Sequence, residues 1–367
     1  MQLRRVLAAA VVGTTALATT ITSADAALAA RPPLTPTSFV AHLDLAAGQQ
    51  PENLALLPGG AAAVTFAFSR QVAVIERTGT VRVLATLPAP PADARTPVLG
   101  SPFLGGIVQG PDHTLYFLYA TGTADLTGVW RLRPGGSPER IAALPADALP
   151  NGLALDRSAG QLYAADSVLG RIWRIPATGG SPEVWATGAA LAPAGFLGAN
   201  GVKVHDGAVW VSNLDHGTLL RIPVGHDGTP GAVRTVATGL TGVDDFAFTG
   251  HGDQLLAALN AGSEVALVSG NGSRTVVLDH TDGLQNPTSI AVRSNEVYVA
   301  DAAYVTQQDP NLLTTRLHCP DRGHPMSSPS QPTAAEDGTG VVTTAATVHN
   351  QRGELVLSGQ HKYLLRR

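Results

Sequence analysis

A short phrase recurs six times along this chain, and it constrains the fold more than any other feature. Each copy joins one or two small or polar residues to an apolar stretch typical of a β-strand. Successive copies begin 44 to 53 residues apart. A period in the forties, with strand-like sequence in each copy, is typical of a β-propeller with one blade per copy. We therefore predict an all-β, six-bladed β-propeller.

The residue that opens each copy changes from blade to blade. The six opening residues are Glu52, Gly105, Asn151, Asn200, Asp244 and Thr288. Equivalent positions of equivalent strands converge on the central axis of a propeller. We therefore expect four oxygen-bearing side chains to meet on that axis, although they are far apart in sequence. They are Glu52, Asn151, Asn200 and Asp244.

The third copy shows the order of strands within a blade. An inner strand over 151–156 is followed by strands that begin at Gln161, Arg171 and Glu183, with turn residues between them. The sixth copy lacks an outer strand of its own. A spare strand over 38–44 could supply it, which would join the two ends of the ring in one sheet and cover two exposed edges. We therefore place the propeller at 38–318.

The composition agrees with this fold and excludes some partners. Charged residues make up 14% of the 367 residues, and there are 40 Gly and 26 Pro, which suits short strands joined by tight turns. The net charge of −4 gives no basic surface for nucleic acid. After the N-terminal segment, no stretch is long and apolar enough to predict a membrane span. The single cysteine, Cys319, leaves no internal disulfide.

The segments before and after the propeller are predicted to be a signal peptide, two linkers and a short tail. Residues 1–26 resemble a signal peptide, with Arg4 and Arg5 before an apolar stretch and a small-residue cleavage site that ends at Ala26. We expect export through the general secretory route, and a monomeric extracellular protein that acts on a small molecule. Residues 27–37 and 319–340 read as linkers, the second one disordered. Residues 341–367 read as a β-hairpin-like tail.

The four axial residues offer oxygen and neither sulfur nor imidazole. Oxygen-only sites suit hard divalent cations such as Ca²⁺, Mg²⁺ or Mn²⁺, and two carboxylates can neutralise one such ion. An Asn-Gly pair before a strand is also a turn signal in its own right, so any one of these residues alone favours a turn. Four of them in register across six repeats favour a metal site.

Three of the phrases resemble the SMP-30/gluconolactonase/LRE-like propellers, over about 38–317. The phrases are Pro51-Glu-Asn, Leu149-Pro-Asn-Gly-Leu-Ala-Leu-Asp and Ala199-Asn-Gly-Val-Lys-Val. The resemblance implies a divalent ion on the axis, usually calcium, bound by Glu52, Asn200 and Asp244. It implies that Asn151 contacts substrate or metal-bound water, and that Asp244 is the base that activates water.

This chain departs from the family at two positions. The family's Pro-Asp-Gly is here Val243-Asp244-Asp245, so Asp245 is a second candidate for the catalytic aspartate. The register favours Asp244, which precedes Phe246 as Asn151 precedes Leu153. Some sugar lactonases carry an Arg two residues before the Asn, where this chain has Leu149. That difference weakens the case for an acidic sugar as substrate.

Other polar residues are predicted at the same mouth, most of them as turn residues: Asp166, Asn213, Asp215, Asn260, Asp301 and His216. Phe103 and Phe196 precede inner strands and could wall an apolar pocket, although packing is the simpler role. The chain has no Gly-x-Ser-x-Gly, His-Glu-x-x-His, Cys-x-x-Cys or P-loop motif.

Three functions are compatible with the sequence. The first is a metal-dependent hydrolase of lactone-like esters, in which Asp244 or Asp245 accepts the proton of water and Asn151 orients the substrate. The second is a binding or scaffold propeller with a structural calcium ion. The third resembles the streptogramin lyases, which use Mg²⁺ and a His base, but no axial position of this chain is a His.

Overall fold

The computed structural model describes residues 33–318, 333–334, 339–349 and 355–366. Within 33–318 the chain is built from 24 strands. In chain order they are β1 (Ser38–His42), β2 (Pro51–Leu56), β3 (Ala62–Phe66), β4 (Gln71–Ile75), β5 (Val81–Thr86), β6 (Phe103–Gln109), β7 (Leu115–Ala120), β8 (Gly128–Leu132), β9 (Glu139–Ala143), β10 (Pro150–Asp156), β11 (Gln161–Asp166), β12 (Arg171–Pro176), β13 (Glu183–Thr187), β14 (Ala199–His205), β15 (Ala208–Asn213), β16 (Thr218–Pro223), β17 (Arg234–Ala237), β18 (Val243–Phe248), β19 (Leu255–Leu259), β20 (Glu264–Val268), β21 (Arg274–Leu278), β22 (Pro287–Arg293), β23 (Glu296–Asp301) and β24 (Asn311–Arg316).

These strands form six antiparallel sheets of four, which are the blades of a β-propeller. Blades one to five each take four consecutive strands, starting from β2, β6, β10, β14 and β18. The first strand of each blade is innermost and contacts the first strand of the next blade around the ring. Helical structure in the described residues is limited to three 3-10 turns, at Pro58–Gly60, Asn260–Gly262 and His280–Asp282. The predicted fold class is confirmed.

The sixth blade closes the ring as predicted. Its order is β22-β23-β24, and β1 from the start of the chain adds antiparallel to β24, with Ser38 opposite Thr314 and His42 opposite Asn311. The pairing extends into residues predicted as linker, since the backbone N–H of Thr35 donates to Arg316 O at 2.9 Å. Both ends of the ring are therefore held by one sheet.

The apolar core lies between neighbouring blades. Middle strands such as β3 and β7 are buried along their whole length, because both of their faces are covered by adjacent blades. One buried cluster joins blades three and four through Tyr163, Trp185 and Val209. Another joins blade six to blade one through Tyr298, Phe66 and Ala41 of β1. Each blade is thus stabilised by its neighbours, and the ring positions its six inner strands against one another.

The tail forms a separate small sheet. Strands β25 (Thr333–Ala334), β26 (Thr339–His349) and β27 (Leu355–Arg366) pair antiparallel in that order. β26 and β27 pair as a hairpin, and β25 lies in the segment predicted as linker. The predicted signal peptide and the remainder of that linker lie outside the described residues. Among those described, no helix is long and apolar enough to cross a membrane.

Candidate functional site

All six inner strands carry a β-bulge at the same place. In β2 the register against β3 shifts between Pro51 and Asn53, and the other five inner strands shift at the equivalent step. A bulge leaves one residue unpaired and re-aims its side chain. The residue that opens the repeated phrase lies in each shift, alone in β2 and β22 and with the following residue in the other four strands, so the sequence register and the structural register agree.

The four polar residues at these bulges line one cavity at a mouth of the central channel. The cavity has a volume of about 350 Å³, and Glu52, Asn151, Asn200 and Asp244 all contribute to its lining. Each of the four is at most 6% exposed. The structure therefore brings together the four residues that the sequence predicts on the axis.

The two Asn-Gly pairs are not turns, although the dipeptide is a turn signal. Asn151 and Asn200 lie within β10 and β14. A Cβ on Gly201 would lie 2.8 Å from the carbonyl oxygen of Asp244, and one on Gly152 would collide with the carbonyl oxygen of Asn200. Glycine follows each asparagine because the backbone of the next inner strand passes directly beside it.

Glu52 is held by a residue from the opposite end of the sequence. The Tyr304 hydroxyl donates to Oε2 of Glu52 at 2.5 Å. Burial raises the pKa of the Glu52 carboxyl to about 7; the Tyr304 hydrogen bond opposes this change, and the charge of Asp245 adds to it. Burial and the charge of Glu52 also raise the pKa of the Tyr304 hydroxyl well above its usual value. Glu52 is thus oriented but lacks a positive partner among the described residues.

The loop that carries Tyr304 is fastened by Asn286. This buried side chain accepts the N–H groups of Val305 and Thr306 at 2.9 and 3.0 Å, and it donates to Asn260 O at 3.0 Å. Asn286 itself has φ of 59°, in the left-handed region that asparagine tolerates better than most residues. The repeat pattern does not indicate Tyr304, because this residue lies outside the repeated phrase. The only sequence signal is its place in a mouth loop of the last blade.

Asp244 faces the same cavity. Its Oδ2 lies 3.4 Å from the amide nitrogen of Asn260, and the nearby Asn200 side chain favours its ionised form. Burial raises the pKa of the Asp244 carboxyl well above its usual value, and the negative charges of Glu52 and Asp245 raise it further. Two buried carboxyl groups therefore repel each other across this cavity.

Asp245 occupies a second polar layer beneath the cavity. It accepts hydrogen bonds from Asn53 Nδ2 at 3.0 Å and Ser289 Oγ at 2.8 Å, and it forms an ion pair with Lys203 Nζ at 2.5 Å. Asp245 is 2% exposed and does not line the cavity. Of the two candidate aspartates, Asp244 is thus the one that a substrate at this mouth could reach.

The other polar residues predicted at the mouth mostly fasten loops. Asp166 accepts the backbone N–H of Leu149 and the indole N–H of Trp173. Asn213 donates to two carbonyl oxygens of the preceding loop, at Ala190 and Ala192, and Asp301 accepts the N–H of Gln285. His216 is not among the lining residues. Asn260 alone of this set lines the cavity, so the turn role predicted for most of them agrees with these contacts.

The walls of the cavity are largely apolar and aromatic. Phe103 and Phe196 both line it, together with Phe68 from the turn after β3. The ring centroid of Phe68 lies 6.1 Å from that of Phe103 and 5.6 Å from that of Tyr304. No Lys, Arg or His is among the described residues that line this cavity. Leu149 is fully buried behind the wall.

The donor set fits a hard divalent cation. It consists of two carboxylates and two amide oxygens, and the raised pKa of both carboxyls means that a nearby positive charge would stabilise their ionised forms. The described residues contain no group of three or more His, Cys, Asp and Glu suited to a metal, so a cation here would depend on the asparagines. Glu52, Asn200 and Asp244 could hold it, with Asn151 beside them.

No protein-family model and no curated protein matches this chain. Solved structures share its fold at low sequence identity. A gluconolactonase from Xanthomonas campestris has a TM-score of 0.54 and 16% identity over 78% of this chain and 97% of its own. A PQQ-bound aldose sugar dehydrogenase from Streptomyces coelicolor has a TM-score of 0.55 and 16% identity over 77% and 97%. Virginiamycin B lyase from Staphylococcus aureus has a TM-score of 0.51 and 16% identity over 72% and 79%.

These neighbours agree on the fold and differ in activity. Identities this low show a shared propeller, and a propeller supports unrelated chemistries. The resemblance to gluconolactonase-like propellers is therefore confirmed at the level of the fold. The reaction has to be argued from the side chains in the cavity.

Proposed function

We propose that this protein is a metal-dependent hydrolase of lactone-like esters. The observation that carries the proposal is the set of four buried oxygen side chains that meet at the floor of one open cavity. A gluconolactonase shares the fold. Calcium is the cation we favour, with Mg²⁺ or Mn²⁺ as alternatives, since all three accept this donor set.

The proposed chemistry is the addition of water to an ester carbonyl. A bound divalent cation would polarise the carbonyl oxygen and lower the pKa of a water molecule. Asp244 accepts the proton of the attacking water. The C–O bond of the ring then breaks, and the alkoxide leaving group takes up a proton, so that one lactone and one water give one hydroxy acid.

The remaining residues position the reacting groups. Asn151 and Asn200 present amide groups at the cavity floor, where they can orient the substrate. Tyr304 fixes Glu52 through its hydroxyl, and Asn260 contacts Asp244. The largely apolar wall lowers the effective dielectric constant around the floor, which strengthens electrostatic contacts there.

A lactone panel assayed with EDTA and with added Ca²⁺ tests the proposal. We expect hydrolysis that EDTA abolishes and Ca²⁺ restores. Activity that chelation leaves unchanged would remove the metal mechanism. Absence of hydrolysis together with a large Ca²⁺-dependent rise in melting temperature would favour the scaffold alternative, because Glu52 and Asp244 come from different blades.

The streptogramin-lyase alternative is disfavoured by the cavity itself. A lyase of that kind needs a His base, and no His is among the described residues that line the cavity. Virginiamycin B lyase nonetheless shares the fold, so a streptogramin belongs in the assay panel. Its turnover would contradict the hydrolase proposal.

We also propose export after cleavage at Ala26 and a monomeric state. The N-terminal pattern of two arginines, an apolar stretch and small residues supports export. N-terminal sequencing of the mature protein and size-exclusion chromatography with light scattering test these two points.

A further inference from the structure

We propose that the substrate of this site is an uncharged lactone or ester with an apolar alkyl or aryl substituent, rather than a sugar lactone. This inference rests on the proposed hydrolase function and adds the class of substrate. It is argued from the walls of the cavity, whereas the reaction is argued from its floor.

The first argument is charge. The described lining contains two carboxylic acids, Glu52 and Asp244, and no Lys, Arg or His. Glu52 and Asp244 would together neutralise the proposed divalent ion, so a substrate that carries a carboxylate or phosphate would have no cationic side chain to pair with its own charge. Burying such a group without a partner is costly. The cavity therefore favours a neutral molecule.

The second argument is the apolar wall. Eight large apolar side chains are exposed in the described part of the chain, and three of them line this one cavity: Phe68, Phe196 and Val305. Buried Phe103 and Leu197 continue the same wall. Apolar surface gathered at one concave place is typical of a ligand-binding site.

The third argument is that the side-chain amide donors on the wall are already engaged. Gln50 donates its side-chain amide to Ala302 O, and Gln307 donates to Ala303 O and Tyr304 O. Asn260 lies within 3.4 Å of two backbone carbonyl oxygens and of Asp244. The hydroxyl groups of a sugar lactone would find few free donors on this wall, and unpaired buried polar groups oppose binding.

The wall is also held in place before any ligand arrives. Phe196 is 48% exposed, yet its backbone N–H donates to Asp215 at 2.8 Å and that of Ala194 donates to the same carboxylate at 2.7 Å. An exposed aromatic ring on a fastened loop loses little conformational freedom when a ligand binds. Asp215 thus positions Phe196 over the cavity.

The test is a series of δ-lactones in Ca²⁺ buffer. We expect kcat/KM to rise roughly fourfold per methylene from δ-valerolactone to δ-decalactone, until the cavity is filled. We expect glucono-δ-lactone to be turned over at least about a hundredfold less efficiently than δ-decalactone. A glucono-δ-lactone rate equal to or above that of the alkyl lactones overturns the inference and leaves the hydrolase function standing.

The variant Phe196→Ala tests whether the preference for longer alkyl chains comes from the apolar wall. We expect the ratio of kcat/KM for δ-decalactone to that for δ-valerolactone to fall about tenfold. Phe39→Ala is the matched control, because Phe39 is 46% exposed on β1 and does not line the cavity; it should leave the ratio unchanged. An equal loss on both substrates in Phe196→Ala would contradict the assignment.

A binding experiment separates this inference from the proposed reaction. The pentyl-substituted piperidinone is the lactam of δ-decalactone, and it resists hydrolysis. If no lactone is turned over but calorimetry shows that this lactam binds the parent at least tenfold more tightly than Phe196→Ala, the hydrolase function fails and the apolar site stands. If alkyl lactones are hydrolysed at equal rates whatever their chain length, the function stands and the inference fails.

Discussion

At the scale of single residues, two adjacent aspartates have different roles because a bulge lies at that step. Asp244 lines the cavity, whereas Asp245 is surrounded by Asn53, Ser289 and Lys203. The sequence predicts both as candidates, since their chemistry is identical, and the register of the repeated phrase favours Asp244. The direction of each side chain in the folded protein decides which one a substrate can meet.

Glu52→Gln tests the metal proposal at one residue. We expect Ca²⁺ affinity to fall at least roughly tenfold, so that the same Ca²⁺ concentration no longer raises the melting temperature as far as it does in the parent, because ligand stabilisation follows the logarithm of [L]/Kd. The metal-free protein should be unharmed, since a buried charge is removed. Calorimetric titration measures the affinity. Glu183→Gln, at an exposed position, is the control, and equal affinity in the parent and Glu52→Gln would show that Glu52 is not a ligand.

The buried carboxyl of Asp301 should make the stability of the fold depend on pH, whether or not a metal ion is bound. Burial raises the pKa of this carboxyl well above its usual value, and the nearby Asp309 raises it further. The unfolded chain releases the proton near pH 4, whereas the folded protein keeps it. Asp301 therefore does not change the free energy of unfolding at low pH. It lowers that free energy increasingly as the pH rises towards the folded-state pKa. The cost is about 1.4 kcal/mol for each pH unit that separates the folded-state pKa from the unfolded one.

Asp301→Asn should remove that cost. We expect the variant to match the parent in free energy of unfolding at about pH 4 and to exceed it at about pH 8. Urea denaturation at several pH values measures the difference, and groups common to both proteins cancel. A difference that is the same at every pH would contradict the assignment.

At the scale of elements, the loops at the mouth are fastened by side chains from neighbouring segments. The loop after β23 carries Tyr304 and Val305 into the cavity, and Asn286 at the entrance of β22 holds it through two backbone N–H groups. Asp215 does the same for the loop that carries Phe196. The shape of the pocket therefore depends on contacts that no single strand contains.

Asn286→Gly tests this fastening. Glycine keeps the positive φ of this position but removes the acceptor of both N–H groups. We expect a loss of about 1–2 kcal/mol in stability, a lower kcat/KM on lactones, and faster hydrogen exchange at residues 305 and 306. The matched control is Asn271→Gly, whose side chain accepts the Ser273 N–H in an exposed turn. Unchanged exchange at residues 305 and 306 would show that the loop is held by other contacts.

At the scale of the whole molecule, the ring depends on one short strand. β1 completes blade six and contributes Ala41 to the core between blades six and one. The sequence predicts this closure, because the sixth repeat lacks an outer strand and a spare strand precedes the first. If the blades unfold together, a substitution that destabilises β1 must also lower the melting temperature of blades on the other side of the ring.

Ala41→Asp tests that cooperativity. Ala41 is 6% exposed, so the variant places a carboxyl without a partner in the core, at a cost of roughly 3 kcal/mol. The four tryptophans, Trp130, Trp173, Trp185 and Trp210, lie in blades two to four. We expect their fluorescence to report a melting temperature lowered by several degrees. Ser38→Asp, exposed on the same strand, should change it little, and an unshifted tryptophan transition in Ala41→Asp would show that the blades unfold separately.

The number of blades, the closing strand and the four polar residues on the axis can be predicted from the sequence alone. They follow from the spacing of the six copies and from the strand-like apolar pattern within each copy, and both can be seen without knowing which residues are in contact. Three further features needed the folded molecule: Asp245 is enclosed by Asn53, Ser289 and Lys203, Tyr304 contacts Glu52, and Phe68 and Val305 join Phe103 and Phe196 in one apolar wall. Those features arise where residues from different blades come into contact. The distances between such residues depend on how the six inner strands pack around the axis.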